Sequence, residues 1–260
     1  MKKILLVSGD SFSDKNFSTM IHPELDTSWP KWPELLADKL NMECVNIAKS
    51  GAGNDYIYEA LVDTLQNIDK EKIGLVIAAW SQCQRRSWQE SKALYWKNSR
   101  VDVKGDVFYW TKRTMRYWYS FQVLCERYNL PYKQFQMISL FQGWLNGLYQ
   151  NDHEVYRNKL NPDPNFIERH IYPGNKEKDA KFLTNMVFNY ENHINTKNFI
   201  GWPIFFRFGG FHVEYKVLRD LRDANHQPLG DMVISKYDAH PTAKGQKAIA
   251  DFIYDRLELV

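Results

Sequence analysis

Three residues near opposite ends of the chain have the types that nucleophilic acyl transfer requires. Ser11 lies in the stretch GDSFSD, directly after an apolar run, and Asp238 and His240 lie in KYDAHPTAKGQ near the other end. A serine hydroxyl is a weak nucleophile until a base removes its proton, and a histidine supported by a carboxylate is a suitable base. In an extended segment residues i and i+2 face the same side, so Asp238 can support the His240 imidazole. These residues predict a serine nucleophile with a histidine base.

Simpler interpretations of both stretches stay open on the residues alone. Gly, Asp and Ser are the commonest turn formers, so Gly9-Asp10-Ser11 can be a turn without chemistry, in which Asp10 caps the following residues. His240 differs from the other histidines because it directly precedes Pro241 and the last predicted helix. The others occur in polar or loop-like contexts that are typical of surface or packing residues: His22, His153, His170, His193, His212 and His226.

Hydrophobic periodicity predicts the elements that must position these residues. Strands are predicted in MKKILLVSGD, MECVNIA, KIGLVIAAW and YKQFQMIS. Helices are predicted in WPKWPELLADKL, NDYIYEALVDTLQNI, TMRYWYSFQVLCERYNL and PTAKGQKAIADFIYDRLELV. The alternation indicates a three-layer α/β/α domain with a parallel sheet of about four or five strands. We expect a single domain over residues 1–260, with an insertion or cap at about 140–222, where no clean period is present.

Polar residues follow three of the predicted strands. In a parallel sheet ligands bind beyond the carboxyl ends of the strands, because the loops there lie beside helix N-termini. Ser11 follows the first strand, SGAGN (residues 50–54) follows the second, and WSQ (residues 80–82) ends the third. Within and just beyond these loops, Asn54 and Arg85 are candidate substrate-binding residues, although a solvated surface charge also explains Arg85. The loops are expected to supply a nucleophile and amide donors together.

Three stretches resemble the sequence blocks of the SGNH (GDSL) hydrolase family, in that family's order. They are GDSFSD, VNIAKSGAGND and DAHPTAKGQKAIADF, and SWPKWPELLADKL resembles the helix after the first block, whereas residues 94–194 match little. The resemblance implies a flavodoxin-like SGNH fold and ester hydrolysis through an acyl-enzyme. It implies Ser11 as the nucleophile, His240 as the base, and the backbone N–H groups of Ser11 and Gly51 as oxyanion donors.

Two positions depart from the pattern of that family. Its third oxyanion donor is usually an Asn side chain, but this chain reads WSQC there. Gln82 carries the same amide one methylene further out and is the candidate replacement. The acid of the family usually lies three residues before the histidine, where this chain has Tyr237. Asp238, at the shorter spacing that the family also includes, is therefore the candidate acid.

Composition narrows the remaining classes of function. A net charge of +3 over 260 residues, without a clustered basic stripe, argues against a nucleic-acid partner. No apolar run approaches the roughly 18 residues of a membrane span, and the apolar run at the N-terminus is too short for a signal peptide. Cys44, Cys83 and Cys125 lie too far apart for a disulfide framework or a zinc site, which favours a reducing compartment such as the cytoplasm. Cys83 is an alternative nucleophile with no histidine near it in the sequence.

The sequence thus predicts a serine esterase that needs no metal or organic cofactor and acts on a small-molecule or glycan ester. A glycan O-acetyl ester is the preferred substrate because members of the resembled family often deacetylate glycans; a lipid or other acyl ester stays open, as does the oligomeric state. The alternative is a weakly catalytic or non-catalytic carbohydrate-binding or assembly protein on the same fold, which the absent Asn favours. Ser11, Gly51, Asp238 and His240 oppose it, because a structural role needs none of them.

Overall fold

The computed structural model describes residues 2–90, 95–100, 102, 104–141, 176–205, 208–219, 231–235 and 237–257. Its strands are, in chain order, β1 (Ile4–Ser8), β2 (Glu43–Asn46), β3 (Ile73–Trp80), β4 (Arg86–Gln89), β5 (Trp96–Ser99), β6 (Tyr132–Gln136), β7 (Phe199–Ile200), β8 (Val233–Ser235) and β9 (Asp238–Pro241). Its α-helices are α1 (Trp32–Lys39), α2 (Asn54–Asn67), α3 (Val107–Arg127), α4 (Lys176–Phe188) and α5 (Ala243–Tyr254).

Five parallel strands form the central sheet, in the order β2-β1-β3-β6-β7. This is the doubly wound order in which the second strand lies outside the first, and it confirms the predicted parallel α/β sheet. The central strand β3 has the sequence IGLVIAAW and is buried along almost its whole length. A continuous apolar run of this kind is stable only where helices cover both faces of the sheet.

The two faces of the sheet are covered by different helices. Leu61 of α2, Trp118 of α3 and Leu183 of α4 lie in one apolar cluster, and Leu36 of α1 and Ile249 of α5 lie in the other. The predicted helices therefore pack as a three-layer α/β/α domain. In the described part of the chain, no helix combines the length and the apolar character that crossing a bilayer would need.

The third predicted helix begins earlier than its periodicity indicates. The prediction places its start at Thr114, whereas α3 begins at Val107. Asp106 is the N-cap, because its side chain accepts the backbone N–H of Tyr109 at 2.9 Å. A carboxylate at this position satisfies one of the N–H groups that the first helical turn leaves unpaired.

Parts of the stretch predicted to be an insertion or cap belong to the sheet and to the helix layers that cover it. The edge strand β7 belongs to this stretch, and so do Leu183 and Val187 of α4, which are completely buried. Val213 and Val217, in and beside a π-helical turn at Glu214–Arg219, pack into the core against the opposite face. A strand of two residues is too short to produce a recognisable period, so the sequence pattern does not reveal it. Residues 142–175, 206–207 and 220–222 of the predicted insertion lie outside the described residues.

Candidate active site

A turn directly after β1 holds Ser11. The backbone N–H groups of Ser13 and Asp14 donate to the Asp10 carbonyl at 2.9 and 3.1 Å. The Asp10 side chain is completely buried, and its Oδ1 accepts the N–H of Phe12 at 3.1 Å. A buried carboxylate is costly unless it is hydrogen-bonded, so these contacts select one conformation of the turn. Ser11 is thereby held at the carboxyl end of the sheet, where its exposed fraction is 8%.

Hydrogen bonds join the three predicted side chains into one chain. His240 Nε2 lies 2.8 Å from Ser11 Oγ, and His240 Nδ1 lies 2.5 Å from Asp238 Oδ1. An ionised carboxylate can only accept, so Nδ1 carries the imidazole proton and Nε2 presents a lone pair to the serine hydroxyl. This arrangement is the one that general-base activation of a serine requires.

The two-residue spacing between Asp238 and His240 is accommodated by β9. The Asp238 carboxylate accepts both the backbone N–H of His240, at 3.1 Å, and its ring Nδ1. The other carboxylate oxygen accepts a short hydrogen bond from the Thr19 hydroxyl, and Ser235 Oγ accepts the Asp238 N–H at 3.1 Å. Tyr237, at the more usual spacing, is 47% exposed. The structure thus brings Asp238 to the histidine.

The environment keeps the Asp238 carboxyl ionised. Burial alone would raise its pKa, but hydrogen bonds from His240 and Thr19 outweigh burial and lower the pKa to about 2. A lowered pKa means that this group stabilises the folded protein above the pKa of the unfolded chain, about 3.9, and that the contribution is lost as the pH falls through about 2. At neutral pH the carboxylate is therefore available to orient the imidazole and to stabilise its protonated form.

We expect Thr19→Val to lower kcat by roughly tenfold to a hundredfold, because a hydrogen bond to a charged group contributes about 1.5–3 kcal/mol. The substitution keeps the shape of the side chain but removes the donor to the Asp238 carboxylate. Steady-state kinetics on any ester that the protein hydrolyses measure the effect. The matched control is Thr111→Val, which removes a buried hydroxyl that donates to the Val107 carbonyl at 2.7 Å and also contacts the Cys83 thiol, neither of which belongs to the Ser11–His240–Asp238 chain. Equal kcat values for the two variants would contradict a positioning role for Thr19.

Two aromatic rings lie against the His240 imidazole. Phe17 stacks on it with a centroid distance of 4.2 Å and an interplanar angle of 29°, and Phe12 lies against it at 4.9 Å and 40°. The Thr27 hydroxyl donates to the Phe17 carbonyl at 2.5 Å and so fixes the loop that carries the stacked ring. Sequence reasoning missed Phe12, Phe17 and Thr19, because the contacts of these residues join positions that are far apart in the chain and form no local motif.

The loop after β2 adopts a conformation that only glycine reaches easily. Gly51 has a φ of +78°, in the left-handed region. The loop is fixed by Asp14, whose Oδ2 accepts the N–H and the hydroxyl of Ser50 at 2.8 and 2.7 Å. Within the described residues, the backbone N–H groups of Ser11 and Gly51 donate to no protein acceptor. Both N–H groups are thus available to a ligand.

The remaining candidate residues differ in how their side chains are used. The Asn54 amide is buried and bonded three times, to the N–H and carbonyl of Ser81 at 2.8 and 3.1 Å and to the Thr114 hydroxyl at 3.1 Å. Its structural work is to fix the start of α2 to the end of β3. Arg85 is 17% exposed and pairs with Asp10 at 3.3 Å, so it is not a solvated surface charge.

Two of the described cysteines, Cys44 and Cys83, are held as thiols. Cys83 is almost completely buried, and burial raises its pKa to about 12; burial likewise raises the pKa of Cys44 to about 12. A nucleophilic cysteine must be a thiolate, so neither side chain suits that role at neutral pH. Among the described residues, no group of three or more His, Cys, Asp or Glu side chains is arranged to hold a metal ion.

No family model and no curated protein matches the chain. Among solved structures it is similar to one from Desulfitobacterium hafniense DCB-2 described as a lipolytic protein of the G-D-S-L family, with 14% identity, a TM-score of 0.49, and coverage of 99% of this chain and 100% of that one. It is also similar to an esterase from Pseudoalteromonas sp., with 12% identity, a TM-score of 0.45 and coverage of 98% and 97%. An acetyl xylan esterase is a third, with 8% identity, a TM-score of 0.48 and coverage of 98% and 99%. The solved structures to which this chain is similar include a lipolytic protein and two esterases, at identities of 14% or less.

Proposed function

We propose that this protein is a serine esterase that hydrolyses a carboxylic ester through an acyl-enzyme. The observation that carries the proposal is the hydrogen-bonded chain from Ser11 Oγ through the His240 ring to the Asp238 carboxylate. The tautomer that this chain requires places the basic nitrogen on the serine hydroxyl, which is the state needed before attack. A purely structural or binding role does not require this alignment of a nucleophile, a base and a carboxylate.

In the first half of the reaction, Ser11 Oγ attacks the ester carbonyl carbon while His240 Nε2 takes the hydroxyl proton. The carbonyl oxygen becomes an oxyanion, for which the N–H groups of Ser11 and Gly51 are the proposed donors, with the Gln82 amide as a third. The tetrahedral intermediate collapses when His240 returns the proton to the leaving alcohol oxygen. An acyl group then remains on Ser11, and the alcohol departs.

In the second half, water replaces the alcohol. His240 removes a proton from the water as its oxygen attacks the acyl carbon, and then returns a proton to Ser11 Oγ as the acid leaves. Asp238 stays ionised throughout and stabilises the imidazolium that forms in each half. Apart from water, the reaction uses only groups of this chain, and the protein returns to its starting state.

Hydrolysis of a chromogenic acetate ester tests the proposal. An acyl-enzyme mechanism predicts saturable release of the alcohol, with a rapid first turnover if deacylation is slower than acylation. The alternative, a carbohydrate-binding or assembly protein on this fold, predicts no release above the uncatalysed rate. Such a result with folded protein would count against the esterase.

We expect kcat/KM to rise as the pH increases from acidic to neutral, because only the neutral imidazole accepts the serine proton. Asp238, with a pKa of about 2, is already ionised over this range and adds no second step. The log of kcat/KM should therefore rise with a slope of one. A pH–rate profile between about pH 4 and 8 measures it, with circular dichroism at each pH to confirm folding. A slope of two would show that a second group must also lose a proton.

The finer part of the proposal concerns the ester. A glycan O-acetyl ester is proposed on the sequence resemblance, with lipid and other acyl esters as its competitors. A series of chromogenic esters that differ only in acyl length separates them, because an acetyl-specific site loses kcat/KM as methylene groups are added. Increasing kcat/KM with chain length would favour a lipid-like acyl substrate, and acetate release from O-acetylated xylan would favour the glycan.

A further inference from the structure

Arg85 connects the nucleophile turn to Gln82. Its Nη1 lies 3.3 Å from Asp10 Oδ2, and its Nε lies 3.2 Å from Gln82 Oε1. Asp10 directly precedes Ser11 and is completely buried, and its Oδ2 also accepts the Ser81 hydroxyl at 2.8 Å. One guanidinium thus contacts both the residue beside the nucleophile and the side chain at the end of β3.

The loop that carries Arg85 is fixed from behind. Arg113 Nη2 donates to the backbone carbonyls of Cys83 and Arg85 at 3.2 and 2.9 Å, and its Nη1 pairs with Asp102 at 2.5 Å. The start of α2 packs closely against the same peptide, because a Cβ at Gly53 would lie 3.0 Å from the Arg85 carbonyl oxygen. Because these contacts hold its backbone, the Arg85 side chain extends from a fixed position.

The contact with Arg85 decides which way the Gln82 amide faces. A guanidinium carries only donors, so the amide atom that it contacts must be the oxygen. Gln84 Nε2 donates to the same oxygen at 3.2 Å. The Gln82 NH₂ group then occupies the other position of the planar amide, and within the described residues it donates to no protein acceptor.

We propose that Arg85 is a positioning residue that holds the Gln82 amide by its oxygen, so that the NH₂ group serves as the third oxyanion donor. This inference rests on the proposed esterase function. A glutamine has one more rotatable bond than an asparagine, and an unrestrained glutamine would have to be ordered in the transition state. The ion pair with Asp10 fixes the guanidinium relative to Ser11. Arg85 therefore holds the Gln82 amide in a fixed position relative to the nucleophile.

This role differs from that of an arginine that binds an anionic substrate. A substrate-binding arginine contributes chiefly to KM and only for charged esters, whereas a positioning residue for an oxyanion donor contributes to kcat for neutral esters. The Arg85 charge already faces the buried Asp10 carboxylate, which neutralises it.

A double-mutant cycle on a neutral acetate ester tests the inference. We expect Gln82→Ala to lower kcat by a factor on the order of a hundred or more, with little change in KM, as for loss of an oxyanion donor. Arg85→Lys keeps a positive charge beside Asp10. A lysine has a single side-chain nitrogen, so it cannot reproduce the two contacts that Arg85 makes through Nη1 to Asp10 and through Nε to the Gln82 oxygen. It should lower kcat by roughly tenfold. In the Gln82→Ala background, Arg85→Lys should change kcat less than about twofold, because the group it positions is gone.

The control is Arg86→Lys, at the neighbouring arginine, which is 40% exposed and lies 3.4 Å from Asp55. It should leave kcat and KM close to the wild-type values. Thermal melts of every variant show whether a lower kcat results from unfolding. If Arg85→Lys unfolds the protein, Arg85→Gln takes its place.

Each other outcome overturns a definite part of the argument. Multiplicative losses in the double variant would mean that Arg85 acts independently of Gln82, and an unchanged kcat in Arg85→Lys would mean that it does not position the amide. Either result would end the inference while the esterase stands. A wild-type protein that neither hydrolyses esters nor reacts with a phosphonate probe at Ser11 would instead remove the proposed function and, with it, this inference.

Discussion

Ser11→Ala should lower kcat for ester hydrolysis by a factor on the order of 10⁶ and abolish labelling by a phosphonylating probe. The reason is that the substitution removes the hydroxyl oxygen that the His240 Nε2 lone pair is placed to activate, at 2.8 Å. The probe phosphonylates the serine oxygen and expels its leaving group, so labelling reports the nucleophile without requiring knowledge of the natural ester. Mass spectrometry of the digested protein locates the adduct.

The control for this experiment is Ser13→Ala, in the same turn. Ser13 is completely buried, and its Oγ accepts the indole N–H of Trp32 at 2.9 Å, so it supports packing and is not accessible to the probe. This variant should keep labelling at Ser11 even if its melting temperature falls. An adduct on another residue, or labelling that survives Ser11→Ala, would show that the nucleophile has been assigned to the wrong serine.

His240→Ala should have an effect of similar size, because without a base the Ser11 hydroxyl remains protonated and weakly nucleophilic. Groups that act as a unit are not additive, so the double variant with Ser11→Ala should be no slower than either single variant. Steady-state rates on the same ester measure all three proteins. His193→Ala, which changes an exposed histidine, is the matched control and should retain full activity.

Added imidazole should partly restore His240→Ala. The substitution opens a slot beside Ser11 that is walled by Phe17, 4.2 Å from the missing ring, and by Phe12, at 4.9 Å. A planar imidazole can pack against these rings and accept the serine proton. Ser11→Ala should gain nothing from imidazole, because it lacks the proton donor. Full activity of His240→Ala in plain buffer would contradict a base at this position.

Much of the fold follows from local patterns. The apolar run of β3 and the period of α2 are properties of adjacent residues, and both elements occur where these patterns predict them. The prediction that Asp238 and His240 share one side of an extended segment depends only on the period of a strand, and β9 provides that strand. The sequence pattern does not predict the edge strand β7, because two residues are too few to show a period and they pair only with the exposed edge of β6.

The residues of the candidate site also separate into those that local patterns predict and those that they do not. Ser11, Gly51, Asp238 and His240 could be selected because each residue type has a recognisable chemistry and stands in a short motif at a strand end. The residues that position these four could not be predicted, because a threonine such as Thr19 or a phenylalanine such as Phe17 has no chemistry that distinguishes it in the sequence. Only the packing of the turn after β1 against β9 makes them neighbours of the imidazole and its carboxylate.

Gln82 and Arg85 show how far the sequence predicts the site and what only the tertiary structure decides. Residue types alone predict the Gln82 amide as a candidate donor, and they leave open whether Arg85 is a solvated charge or a ligand contact. The direction of the amide depends on which atom meets the guanidinium, and that guanidinium is paired with the buried Asp10, which follows the neighbouring strand β1. Local sequence determines the backbone period and the available functional groups, because both are set by bonded neighbours. Orientation and charge pairing are decided by the tertiary structure, because they depend on distances between strands that the chain order does not contain.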